Sequence, residues 1–176
     1  MKPKLYLSGP IYGTTDQEQE WRGVATTELQ DLYEILNPLD RDFRGTKFDV
    51  VNSNSIVKAD LMQVDNSDAL LANCEKAGWG TAMEIFYAHM KGKPVLFFTS
   101  SENPSPWLLA RARNVGRFED AIKELRAFCD TIIACRKCTS ASFFCWLPYQ
   151  SLALAFRNST NETLPPKTQD PATPSL

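Results

Sequence analysis

Four acidic side chains, Asp60, Asp65, Asp68 and Glu84, fall within one short stretch of the chain, on or beside apolar runs that read as helices and strands. Two carboxylates of different character at one site are what cleavage of a glycosidic bond requires. One attacks an oxocarbenium-like carbon, and the other gives a proton to the leaving group. Glu84 is the candidate for the first role. It lies in Gly78-Trp79-Gly80-Thr81-Ala82-Met83-Glu84, where two glycines make a turn and Thr81 is the expected N-cap of a helix. That start places Glu84 in the first turn, where the helix dipole favours a carboxylate by roughly 0.3–1 kcal/mol. Position alone fits an ordinary solvated helix carboxylate equally well, and the same holds for Asp60.

The elements that must hold these groups alternate along the chain. Residues 4–8 read as a strand ended by Gly9-Pro10, and residues 16–33 as a helix with Trp21, Val24, Ala25, Leu29 and Leu32 near helical spacing. Residues 34–37 form a short strand closed by Pro38, and the polar stretch 40–52 reads as a loop over a crevice. Ser53 or Asn54 then caps a helix running through Ile56, Val57, Ala59, Leu61, Met62 and Val64. A strand at 68–73, the Glu84 helix stopped by Gly92 and Pro94, and a strand at 95–99 follow. A proline-rich loop over 103–107, a short helix at 108–111, an edge strand at 114–117 and an amphipathic helix at 118–129 complete the pattern. Such alternation predicts an α/β fold, a flavodoxin-like doubly wound parallel sheet of about five strands. Ligands of such sheets bind outside the carboxyl ends of the strands, where Glu84 is expected.

Composition narrows the class. The 176 residues suit one domain over 1–128, and 43% hydrophobic and 23% charged residues are ordinary globular values. A net charge of −2 argues against a nucleic-acid binder, and no apolar run approaches the ~20 residues that span a bilayer. The chain begins directly with a strand pattern instead of a signal peptide, so a cytoplasmic location with reduced cysteines is expected. Cys135 and Cys138 form a C-x-x-C, but Cys129 and Cys145 stand alone where a zinc ribbon needs a second pair, so no metal is expected. Residues 129–156 are apolar without a period, and 157–176 are rich in Pro, Thr, Ser and Asn and read as a disordered tail.

Several pieces, in order, give a sharper reading: Lys4-Leu5-Tyr6-Leu7-Ser8-Gly9-Pro10-Ile11; Ile56-Val57-Lys58-Ala59-Asp60-Leu61; Ser67-Asp68-Ala69-Leu70-Leu71-Ala72-Asn73; Gly80-Thr81-Ala82-Met83-Glu84-Ile85-Phe86-Tyr87-Ala88 with Gly92-Lys93-Pro94-Val95; and Asn103 with Ser105-Pro106-Trp107. Together they resemble the nucleoside 2-deoxyribosyltransferase superfamily over roughly residues 4–128.

The resemblance implies a role at each matching position. Glu84 falls at the family's nucleophile, which attacks C1′ and holds the deoxyribosyl group covalently. Asp60 falls at the acidic residue near sugar and base, a general acid/base for the nucleobase. Tyr6 matches the tyrosine that orients the nucleophile, and Gly9, Pro10 and Ile11 form the turn that lines the base pocket. Asn103 matches an asparagine lent by a neighbouring subunit to the sugar hydroxyls, which implies a homo-oligomer with shared sites. Trp21 and Gly80 are further substrate-binding candidates, although a tryptophan at helical spacing is more often a packing anchor. The implied partners are a small-molecule deoxynucleoside and a nucleobase, with no cofactor.

The chain departs from the family in its long tail, where transferases place a C-terminal carboxylate near the site, and at two places within the matching motifs. Some transferases carry an aspartate six residues before the nucleophile, where this chain has Gly78; Glu75 or the 40–44 loop are the candidates to replace it. The monophosphate glycosidases grip a phosphate with a serine and an arginine, where this chain has Pro10 and Tyr12. Transfer between bases is therefore the expected activity. Hydrolysis of nucleosides or their 5′-monophosphates, and a non-catalytic nucleotide-binding module, are the alternatives.

Overall fold

Side-chain alternation sets the first strand and, through it, the two faces of the sheet. In β1 (Lys4–Ser8), Leu5 and Leu7 enter one apolar cluster and Tyr6 the other, as a period of two requires. The computed structural model describes residues 1–137. The tail expected at 157–176, Cys138, Cys145 and most of the stretch from 129 to 156 lie outside the described residues.

Four further strands join β1: β2 (Glu34–Leu36), β3 (Ala69–Asn73), β4 (Val95–Phe98) and β5 (Arg113–Asn114). All pairings are parallel and the order is β2-β1-β3-β4-β5. This is the flavodoxin-like order, in which the chain reverses its direction of growth between β1 and β3. Tyr6 pairs with Leu70 and Ser8 with Ala72 across that switch point.

Helices α1 (Glu20–Leu29) and α5 (Phe118–Lys137) cover the face built on Leu5, Leu7, Leu71 and Leu96, contributing Ala25, Leu29, Ala121 and Leu125. Helices α2 (Val50–Asn66) and α3 (Trp79–Met90) cover the other face, where Val64, Ile85 and Ala88 meet Tyr6, Leu70 and Phe97. Helix α4 (Pro106–Leu109) is a single turn, capped by the Ser105 hydroxyl accepting from Trp107 N–H at 3.3 Å, with Pro106 at the first position. It therefore begins earlier than the expected 108–111. Among the described residues no helix is long and apolar enough to cross a membrane.

Boundaries differ from the sequence pattern where capping chemistry decides them. α2 opens at Val50, inside the expected loop. The Asp49 carboxylate accepts from Asn52 N–H at 2.8 Å, and Asn52 Oδ1 accepts from Asp49 N–H at 2.9 Å. This reciprocal box satisfies two orphan donors and takes the start away from Ser53 and Asn54. α3 opens at Trp79 with Gly78 as its N-cap, so Thr81 is a buried helical residue rather than the cap. Glu84 consequently sits in the second turn, beyond the strongest reach of the helix dipole. α1 is preceded by a 3-10 turn (Gln17–Gln19) and ends at Leu29, whose carbonyl accepts from both Leu32 and Tyr33 as the chain turns into β2. Its buried stripe is Arg22, Ala25 and Leu29, while Val24 is exposed. α5 runs on past residue 129, since no glycine or proline interrupts it before Lys137. β5 is Arg113–Asn114, ended where Gly116 takes a φ of 76°.

Candidate active site

Glu84 is held from below by β1. The Tyr6 hydroxyl donates to Glu84 Oε1 at 2.8 Å and the Ser8 hydroxyl donates to Oε2 at 2.5 Å. Two residues apart on one strand, the donors necessarily share a face, and they grip one carboxylate oxygen each. Removal from water raises the Glu84 carboxyl to about 7, and the negative Asp60 adds to the rise; the two hydroxyls and the Arg22 guanidinium oppose it. Burial, and then the nearby Glu84, push the Tyr6 phenol far above its ordinary value, so it remains a protonated donor. The result is a carboxylate that loses its proton near neutrality with both oxygens oriented.

Asp60, from α2, is the second carboxylate at this edge. Burial raises its carboxyl, opposed by Arg41 and Arg22. Arg41, in the 3-10 turn Pro38–Arg41 after β2, donates from Nη2 to Asp60 Oδ1 at 2.7 Å and to Gln63 Oε1 at 3.1 Å. The remaining two acids of the sequence cluster lie at the opposite, amino edge. Asp68 precedes β3 and accepts from Lys4 N–H at 2.6 Å, and Asp65 pairs with Lys91 at 3.0 Å and with the Tyr87 hydroxyl at 2.9 Å. Those two are structural, so the expectation of four acids along one sheet edge reduces to Asp60 and Glu84.

The β1–α1 turn closes the site from the side. Arg22 is fully buried, and its Nη2 donates to Gly9 O at 2.9 Å while Nη1 donates to Gln19 Oε1. Gln19 in turn donates to Pro10 O at 2.8 Å. A side chain on Gly9 would meet Trp21 at 3.1 Å and Arg22 Nη2 at 3.3 Å, so glycine is what lets these groups close on the turn. Trp21 packs edge-on to Phe98 at 5.5 Å and Phe118 at 6.3 Å, with the Arg22 guanidinium 4.6 Å from its ring centroid. Pro10 and Ile11 are partly buried in this turn. Its outer end is latched to the loop over 42–49 by the Tyr12–Phe48 edge contact at 5.1 Å and the Arg44–Asp16 ion pair at 2.8 Å.

Two predicted site residues take no part in these hydrogen bonds. Gly80 lies one turn before Glu84 on the same face of α3 with open space beside it, since a Cβ there would meet nothing within 4 Å, and Asn103 lies exposed in the loop after β4, its N–H donating to Ser101 Oγ at 3.3 Å. Glu75 accepts from the N–H and hydroxyl of Ser100. Ser8, Arg22 and Gln19 were not singled out by type or spacing, and Arg41 only as part of the 40–44 loop. The period of two from Tyr6 was sufficient to find Ser8, and Arg22 is marked by occupying the same stripe as Ala25 and Leu29.

Comparison with known proteins bears on the family and the fold. The profile of the family described as nucleoside 2-deoxyribosyltransferase matches residues 5–142. Among solved structures, the 2-deoxyribosyltransferase of Bacillus psychrosaccharolyticus aligns with a TM-score of 0.54 at 20% identity, covering 68% of this chain and 90% of that one. A conserved protein of Enterococcus faecalis V583 aligns with a TM-score of 0.58 at 20% identity, covering 72% and 99%. The molybdenum cofactor binding protein of Rippkaea orientalis aligns with a TM-score of 0.51 at 12% identity, covering 73% and 98%. At these identities the alignments establish the fold. A search of curated proteins finds no match.

Proposed function

The chain belongs to the nucleoside 2-deoxyribosyltransferase family, and we propose that it cleaves the N-glycosidic bond of 2′-deoxynucleosides and transfers the sugar to another nucleobase. The observation that carries this reading is the Glu84 carboxylate gripped by Tyr6 at Oε1 and by Ser8 at Oε2. A Glu84 oxygen attacks C1′ as the C1′–N bond breaks, and the bonding pair leaves with the nucleobase nitrogen. Asp60 supplies a proton to that nitrogen or removes one from the incoming base. The second base then attacks C1′, the glutamyl ester C–O bond breaks, and Glu84 returns as a carboxylate. Splitting one displacement into two is what a nucleophilic carboxylate provides. Tyr6 and Ser8 keep the nucleophile aimed, and the Gly9-Pro10-Ile11 turn lies where the base is held. Asn103, exposed in the loop after β4, fits a residue lent to a neighbouring subunit in a homo-oligomer.

The test is incubation of deoxyinosine or thymidine with excess adenine, followed by chromatography, with Glu84→Ala as control. Deoxyadenosine formed only by the wild type is the expected result. Free base and free deoxyribose without a new nucleoside would make the protein a hydrolase. No turnover of nucleosides or of their 5′-monophosphates would reduce it to a binding module.

A further inference from the structure

Arg22 is the largest fully buried side chain among the described residues, and the oxygens it binds are all neutral. Its Nη2 lies 2.9 Å from Gly9 O and 3.5 Å from Leu7 O, and its Nη1 bonds Gln19 Oε1. Its Nε has no hydrogen-bond partner among the described residues. Taking a guanidinium out of water without a carboxylate hydrogen-bonded to it is costly, and a stability role alone is better served by an apolar residue of similar size. The placement points to what the cost supports. The two carbonyls that Arg22 engages flank Ser8, and Ser8 donates to Glu84 Oε2. The charge therefore sits one residue behind the donor that grips the carboxylate.

We propose that Arg22 is a positioning residue, fixing Ser8 against Glu84 through the Leu7 and Gly9 carbonyls and setting a positive charge behind the pair. The proposal rests on Glu84 being the nucleophile. Three features of the surroundings support it. The groups that act on Glu84 from the packed elements are Tyr6 and Ser8 on β1, Asp60 on α2 and Arg22 on α1. Arg22 is the one cation in that set, and it opposes burial and Asp60 in keeping Glu84 ionised. Burial pulls Arg22 itself down to about 10, opposed by Tyr6, Glu84 and Asp60, which still leaves it charged at neutral pH.

Two readouts test it on the full-length protein. The first is the titration midpoint of Glu84 by carbon NMR of labelled glutamate, with the resonance assigned by Glu84→Gln. The second is the pH profile of deoxynucleoside turnover. Arg22→Met is expected to move the Glu84 midpoint up, by less than removal of either hydroxyl does, and the acid limb of turnover with it. Arg22→Lys keeps the charge but loses the fork, so the midpoint is expected to stay while turnover falls. An unchanged midpoint in a folded Arg22→Met protein would overturn the proposal, as would equal midpoint shifts in the Met and Lys variants. If Arg22→Met does not fold, Arg22→Gln serves as the neutral variant. If that also fails, Arg22→Lys decides the matter, since wild-type turnover in it would sink the claim. The NMR midpoint is read without turnover, so an inactive wild type would defeat the functional reading and leave the electrostatic arrangement separately testable.

Discussion

Pro10 and Gly78 are in direct contact: a Cβ built on Gly78 would lie 2.9 Å from Pro10 Cγ and 3.0 Å from Thr81 Oγ1. Gly78 has φ −139° and ψ 124°, extended backbone open to any residue, so the requirement for glycine is one of space and not of conformation. The first departure of the sequence from its family pattern thus has a partner in the second. A proline in the β1–α1 turn occupies the volume that a side chain at 78 needs.

Gly78→Ala is accordingly expected to destabilise the protein by about 1–3 kcal/mol through overpacking against a stiff ring. Pro10→Gly in the same chain should recover part of that loss. A double-mutant cycle read by thermal melting checks both, and strict additivity would show that the two residues do not share the space.

Glu84 holds its proton to about 7 in the folded protein, against an ordinary value of 4.5. A raised acid favours folding only while it is protonated. Its contribution is fully present below about 4.5 and is lost as pH rises to about 7. Glu84→Gln should therefore melt above the wild type at pH 8, with the gain on the order of 2 kcal/mol, and the difference should vanish near pH 4. Melting curves at the two pH values measure it. Equal gains at both would assign the effect to packing.

The Tyr6 and Ser8 hydroxyls both stabilise the charged form of Glu84. Removing either leaves burial less opposed. Tyr6→Phe and Ser8→Ala are each expected to move the acid limb of turnover to higher pH by about one unit, the worth of a hydrogen bond to a charged group. Turnover compared at pH 6 and pH 8 reads this directly, with the deficit larger at pH 6.

The order of elements, the sheet order that follows from it and the carboxylate on the helix after β3 were legible in the sequence, because periodicity and turn residues carry that information. What was not legible was set by contacts between distant segments. The Asp49–Asn52 box is invisible to a rule that looks for serine or threonine followed by glutamate. Asp65 and Asp68 look like Asp60 in sequence, and only the parallel pairing of β1 with β3 sends them to the other edge. Arg22 reads as a solvated helix charge until its stripe with Ala25 and Leu29 is seen to face the core. Arg41 reads in sequence as part of a polar loop over the crevice, because its partners lie 19 and 22 positions away on α2.

Arg41 yields the last prediction. Asp60 is raised by burial and pulled back by Arg41 and Arg22. Arg41→Met removes the nearer cation together with its ion pair at 2.7 Å, while the surroundings that desolvate Asp60 remain. The Asp60 carboxyl should then keep its proton to higher pH, the sign opposite to what a carboxylate gaining a partner shows. If Asp60 serves as the acid for the departing base, the alkaline limb of turnover moves up. The acid limb, set by Glu84, shifts less, because a neutral Asp60 no longer adds to the rise of its neighbour. The two carboxyls are electrostatically linked, so both limbs must be fitted together. Arg41→Met and Arg22→Met then make a diagnostic pair, the first acting mainly on the alkaline limb and the second on both limbs, since Arg22 opposes the rise of Asp60 and of Glu84. Movement of the acid limb alone in both variants would mean that a single carboxyl governs turnover and that Asp60 does not move the proton.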